Sequence, residues 1–166
     1  MIKQLILPLV GVALFVVLVG TFVKNPSKLG IKTSTTVSPD ASSQEIVINN
    51  VKIAATIANS PEERSRGLSG TQSLTENSGM LFVFEAKDAS PIFWMKDMLI
   101  PIDIVWINDG KIVQIDEYIE PPIKGAPDSE LKLFKPQGKV DYVLELPAGF
   151  CDKNNIKIGD ETKFDL

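Results

Sequence analysis

The chain has 166 residues, 44% apolar and 23% charged, enough for one packed domain with extensions. It contains no histidine and a single cysteine, Cys151, which removes the commonest general base, any intrachain disulfide and any thiolate zinc cage. The net charge of −4 is uneven: four lysines and no acid lie in the first 32 residues, leaving 13 basic against 21 acidic residues beyond them. Such an acidic field suits solubility rather than phosphate contacts, and no nucleic-acid partner is expected.

Leu5 to Val23 is a run of 19 residues without a charge. As a helix it would span roughly 28 Å, close to a hydrocarbon core of ~30 Å. A cleaved signal peptide is the competing reading, but the run exceeds a usual signal core, and Val19-Gly20-Thr21-Phe22-Val23 is a weak cleavage site. No cysteine follows that could carry a lipid anchor. Residues 1–24 are therefore expected to form an uncleaved transmembrane anchor. Lys24, Lys28 and Lys32 slightly favour a cytoplasmic domain by the positive-inside count. A very short amino-terminal tail before a first apolar run instead behaves as an export signal. The expectation is a single-pass cell-membrane protein with its soluble domain outside the cytoplasm. Residues 25–44 are rich in Ser and Thr, lack periodic apolar positions, and read as a flexible linker.

The domain spans residues 45–166. "EIVI" and "VKIAATIA" flank Asn49-Asn50 and read as a hairpin. Ser60-Pro61-Glu62-Glu63 has a capping serine, a first-turn proline and an acid three residues after the cap, which starts a short helix ending at Gly67 or Gly70. "MLFVF", "PIFWM" and "IDIVWI" follow as strands, and Asn108-Asp109-Gly110 turns into "KIVQIDEYI". Glu120 to Gly138 is a loop with four prolines, long enough to be functional or mobile. "VDYVLEL" alternates, with Val140, Tyr142, Leu144 and Leu146 on one face and Asp141, Val143 and Glu145 on the other. Ala148 to Asn155 suggests a helical turn, and "IKIGDETKF" a last strand. This pattern predicts a mainly β domain, an antiparallel β-sandwich or small barrel with one or two short helices.

"SPEERSRGLSG", "GMLFVF", "FWMKDMLIPIDIVWI", "YVLELPAGF" and "IKIGD", in that order, resemble the domain of unknown function 192 family of small, often exported bacterial and archaeal proteins. The resemblance covers nearly all of Ile53 to Asp160. It implies a mostly β, sandwich-like or barrel-like fold and no established activity. Three departures from the family pattern stand out. Asp97-Met98 replaces Asn-Thr, the loop before "YVLEL" lacks a cysteine pair found in relatives, and Ser69 stands where methionine is common.

Asp103 interrupts an apolar strand, where an unpaired buried carboxylate costs several kcal/mol. It is expected to find a partner, either backbone N–H groups at a strand crossing or an arginine, with Arg64 and Arg66 of the short helix as natural forks. The functional alternative joins it to Lys96 and Glu145 in a cleft. Trp94 and Trp106 read as core, with sugar stacking as the alternative for either. Met80, Met95 and Met98 read as gap fillers rather than a Cu(I) thioether site, and Cys151 as a small buried hydrophobe rather than a nucleophile. Asp116 and Glu117, adjacent on a strand, should face opposite ways. No metal or cofactor is expected.

The candidate ligand-binding residues are Arg64, Arg66, Trp94, Lys96, Asp103 and Glu145. They suggest a non-catalytic binding or accessory module of the cell envelope, taking a small polar ligand, a glycan or a partner protein. The alternatives are a carboxylate-dependent hydrolase of envelope material, which needs two carboxylates in one cleft, and binding at the proline-rich loop instead.

Overall fold

The structure, a computed structural model, describes residues 43–166. The expected anchor and nearly all of the expected linker lie outside the described residues. Among the described residues no helix is long and apolar enough to cross a membrane.

Strands β1 (Ser43–Ile48) and β2 (Val51–Ala58) form the expected hairpin. Asn49 and Asn50 both take positive φ, +49° and +68°, the left-handed pair that such a two-residue turn requires and asparagine tolerates. Helix α1 (Pro61–Arg66) starts on a reciprocal cap: the Glu63 N–H donates to Ser60 Oγ, and the Ser60 N–H donates to Glu63 Oε2. β3 (Ser78–Val83), β4 (Phe93–Trp94), β5 (Ile102–Asn108) and β6 (Lys111–Ile119) follow. Then come a 3₁₀ turn at Asp128–Glu130, β7 (Leu133–Phe134), β8 (Tyr142–Pro147), α2 (Phe150–Lys153) and β9 (Thr162–Lys163).

Seven strands make one sheet in the order β6-β5-β8-β3-β2-β1-β9. It is mixed, which corrects the antiparallel expectation: β2 and β3 run parallel. A parallel neighbour needs a crossover, and the segment carrying α1 supplies it. The sheet curls until its two edges touch at one end without pairing along their length. Lys111 at the start of β6 bridges Glu161 just before β9, and the Thr162 N–H donates to the Gly110 carbonyl at 2.8 Å. The result is a half-barrel.

Curling divides the core in two. Ile46, Ile48, Ile53, Leu81, Val105, Ile107, Ile112, Leu144 and Leu146 fill the enclosed face, plugged by Phe150 and Cys151 of α2. On the outer face, Phe82, Ile104, Trp106 and Val143 are covered by Leu68, Met95, Met98 and Phe134. Phe93 packs edge-to-face on Phe82 and Trp106, with ring centroids 4.8 and 5.6 Å apart. β5 and the central part of β8 are therefore buried on both sides. Val140, expected beside Leu144, joins the outer cluster with Val143 instead. The expected strand "PIFWM" shrinks to Phe93–Trp94, which pairs with Leu133–Phe134 in a separate two-stranded sheet. The expected last strand shrinks to Thr162–Lys163.

Candidate functional site

Asp103 is fully buried and bound by backbone alone. Its Oδ1 accepts the N–H groups of Tyr118 (2.9 Å) and Gly149 (3.0 Å), and its Oδ2 accepts the N–H of Cys151 (3.0 Å). The carboxylate thus ties the end of β6 and the start of α2 to β5, which is the strand-crossing role. The arginine partner expected for it is absent. Arg64 donates instead to the carbonyls of Val83 (3.0 Å) and Asn59 (2.5 Å) and lies 3.6 Å from Glu85. Both arginines sit on α1, which packs over the other face of the sheet.

Two left-handed positions mark this crossing. Tyr118 takes φ +52°, rare for a bulky residue, and Gly149 takes φ +76°. A Cβ at Gly149 would stand 2.4 Å from the Tyr118 hydroxyl oxygen, so the ring closes over a position that only glycine fits. Burial, then the neighbouring Asp103 carboxylate, push the Cys151 thiol far up. Cys151 is an inert core thiol.

Glu145 is the opposite case. On β8 its cross-strand partner is Ile104, whereas Asp103 pairs with Leu146, so the two carboxylates point to opposite faces of the sheet. Glu145 is 5% exposed, and its Oε2 is enclosed without a hydrogen-bond partner among the described residues. Burial alone raises its carboxyl to about 8, so at neutral pH it is predominantly the uncharged acid. Its backbone is fixed by close approach of β3: a Cβ at Gly79 would meet the Glu145 carbonyl oxygen at 2.4 Å.

Glu145 lines a cavity of about 320 Å³ between α1 and β4. Leu68, Phe82, Phe93 and Met98 supply apolar wall, Trp94 one side, and Arg64 and Arg66 the charge. Trp94 is 46% exposed, which corrects its reading as core; Trp106 is fully buried, with its Nε1 donating to Asp116 Oδ2 at 2.7 Å. Glu117, the neighbour of Asp116, is exposed and lines a different cleft.

Four of the six candidates, Arg64, Arg66, Trp94 and Glu145, thus line one cavity, and two do not. Asp103 lies across the sheet. Lys96 ion-pairs with Asp128 of the proline-rich loop at 2.5 Å and stands 5.4 Å from the centre of the Trp94 ring. The Asp128 hydrogen bond, ahead of other influences, raises the Lys96 ammonium above its ordinary range. It clamps the proline-rich loop to the strand that walls the cavity. Among the other lining residues, Leu68, Phe82 and Phe84 are missed by sequence reasoning because nothing local distinguishes them from ordinary core. Met95 and Met98 are outer-core side chains, as expected of gap fillers. No three Asp, Glu or Cys side chains among the described residues are placed to hold a metal ion. The proline-rich loop borders its own cleft of about 430 Å³, with Ile123 86% exposed beside it.

A curled mixed sheet with one carboxyl enclosed under a ligand-sized cavity defines a small β domain of the half-barrel kind. The model of the domain of unknown function 192 family, described as Uncharacterized ACR, matches residues 44–164, and the chain belongs to that family. No protein of curated function matches it. Among solved structures it is similar to a protein from Sinorhizobium meliloti 1021 provisionally described as a transcription regulator. The match has 25% identity and a TM-score of 0.66, over 75% of this chain and 95% of the other. A protein of unknown function from Novosphingobium aromaticivorans DSM 12444 shares the fold, with 22% identity and a TM-score of 0.62, over 73% and 83% of the two chains.

Proposed function

We propose that this chain is a membrane-tethered, extracytoplasmic binding module, without catalysis, whose cavity between α1 and β4 takes a small ligand. One observation carries the reading: Glu145 Oε2 is enclosed at a ligand-sized cavity and has no hydrogen-bond partner among the described residues. A buried polar group without a partner costs about 1–3 kcal/mol, and a bound molecule that completes its hydrogen bonds recovers part of that. The uncharged run from Leu5 to Val23 supports the tether. A hydrolase would need a second carboxylate at the same cavity, and Asp103 faces away from it. Regulation of transcription, the provisional description of one similar structure, fits poorly with 21 acidic residues against 13 basic beyond Lys32.

The test has two arms. Membrane fractionation followed by protease treatment of intact spheroplasts should find the chain in the membrane with its domain digested from outside. A panel of small anions, cations and neutral polyols should include at least one that raises the melting temperature of the full chain in detergent and changes Trp94 fluorescence. A domain protected from the protease ends the extracytoplasmic assignment. A panel with no stabilising member ends the binding reading.

A further inference from the structure

Resting on that reading, we infer that the ligand is a small organic carboxylate carrying a ring, held between the Arg66 guanidinium at the cavity mouth and the Glu145 carboxylic acid inside. The charges lining the cavity point this way. Arg64, Arg66 and Glu145 are its charged or ionisable members, two bases and one acid. Arg64 is fixed: its guanidinium is tied to the carbonyls of Asn59 and Val83, and its side chain is largely covered. It forms a fixed wall whose charge is shared with Glu85, 3.6 Å away. Arg66 makes no ion pair or side-chain hydrogen bond among the described residues, and its side chain is exposed. A free guanidinium on a cavity rim is suited to a bidentate carboxylate contact.

The acid inside reinforces the same choice. Met80 of β3 and Ile104 of β5 stand beside Glu145 in the sheet, and the aromatic residues of β4 line the same cavity, none of them titratable. α1 contributes the two arginines, and Asp103 is screened by the sheet. The arginines do not offset its burial, and the group stays an acid up to about pH 8. An un-ionised carboxyl donates one hydrogen bond and accepts others, so it complements an incoming carboxylate oxygen without repelling it. The lining then presents Arg66 without an ion pair among the described residues, Arg64 shared with Glu85, and no negative charge of its own. Its aromatic and aliphatic walls, Phe82, Phe93, Trp94 and Leu68, suit a flat or apolar ring.

Proton linkage fixes the sign of the pH dependence. Binding requires the protonated acid, so affinity should hold through pH 7 and fall about tenfold per pH unit once Glu145 ionises. A cationic ligand would reverse this: it would drive the proton off and bind better as pH rises.

The experiment titrates the full chain in detergent with benzoate and D-glucuronate, and with benzylamine and benzyl alcohol as the cationic and neutral counterparts. Calorimetry and tryptophan fluorescence are followed from pH 6 to 9. At least one carboxylate should bind, better than both counterparts, and weaken above pH 8. Which of the two binds tells an aromatic ligand from a sugar acid. Arg66→Gln should lower carboxylate affinity by about tenfold, the loss of one charge-assisted contact. Glu145→Gln, a permanently neutral isostere, should abolish the fall in affinity between pH 7 and 9. Preference for benzylamine or benzyl alcohol, affinity rising with pH, or no binding of either carboxylate would each overturn the inference. If benzylamine or benzyl alcohol binds, the binding-module reading survives; if none of the four binds and the broader panel is also silent, both fall.

Discussion

Asp103 and Glu145 stand one step apart on neighbouring strands, β5 and β8, and both are buried, yet they solve burial in opposite ways. Asp103, on the enclosed face, accepts three backbone N–H groups from two other elements. Its charge is matched by dipoles that themselves needed acceptors, so each group cancels the other's desolvation. Glu145, on the outer face, has an oxygen with no partner among the described residues and stays an acid. The contrast teaches that a carboxylate inside a greasy strand is not by itself a sign of function. The number of donors aimed at it decides: a saturated acid is architecture, and an unsaturated one beside a cavity is available to a ligand.

The largest effect that would break this comparison comes from Asp103→Ala. It leaves three N–H groups without an acceptor, at about 1–3 kcal/mol each where they stay enclosed. Against a typical total stability of about 5–15 kcal/mol, most of the folded population should be lost or the melting temperature should collapse. Asp103→Asn, which keeps one acceptor oxygen, should fall between the two. An alanine variant that melts like the parent would show that these three bonds do not hold the crossing.

Glu145→Gln should do the reverse and stabilise, in a pH-dependent way. The folded group holds its proton up to about pH 8, whereas the unfolded group loses it near 4.5. The folded state therefore binds more protons between those values, and stability falls as pH rises from about 4.5 to about 8. Glutamine carries no such slope. Denaturant titrations at pH 5 and pH 8.5 should find the variant close to the parent at the lower pH and more stable by several kcal/mol at the higher. Equal differences at both pH values would mean that Glu145 is ionised in the fold.

How far these two roles were legible in the sequence follows from what each depends on. Local chemistry was readable: the Asn49-Asn50 turn, the Ser60 cap and the full extent of β6 are where side-chain preferences place them. So was the oddity of a carboxylate at 103. Its partners were not, because two come from residues more than forty positions away, after Pro147 has ended β8. The opposite facing of 103 and 145 depends on the β5–β8 register, which no single strand reveals. Trp94 misled for a related reason. Its neighbours are as apolar as core, but it sits on a two-residue strand outside the main sheet, with one face to solvent. The parallel β2–β3 pair was hidden because a short helix between strands is equally compatible with an antiparallel return.

Gly149→Ala sharpens the Asp103 half of the comparison at a smaller scale. The new methyl would meet the Tyr118 ring, and the position needs φ +76°, so a loss of about 1–3 kcal/mol is expected. Tyr118→Ala removes the ring but not the backbone preference. The double variant should therefore recover part of the loss, and a double-mutant cycle on melting data reads the coupling directly. Additive losses would mean that the ring does not set the glycine requirement.

The smallest effect belongs to the pair that joins the proline-rich loop to the cavity wall. Lys96 and Asp128 touch, but both side chains remain partly solvated, 39% and 57% exposed. An ion pair in that setting contributes little and weakens with salt. Lys96→Met keeps the aliphatic stem against Trp94 while deleting the charge, so it should lower the melting temperature only slightly, and by less still in molar salt. What it should change is the loop. With the clamp gone, amide exchange should quicken around Asp128 while the strands behind Asp103 and Glu145 keep their protection. A large global destabilisation would place Lys96 among the structural charges with Asp103. Unchanged exchange in the loop would show that the remaining contacts of β4 with β7 hold it without the lysine.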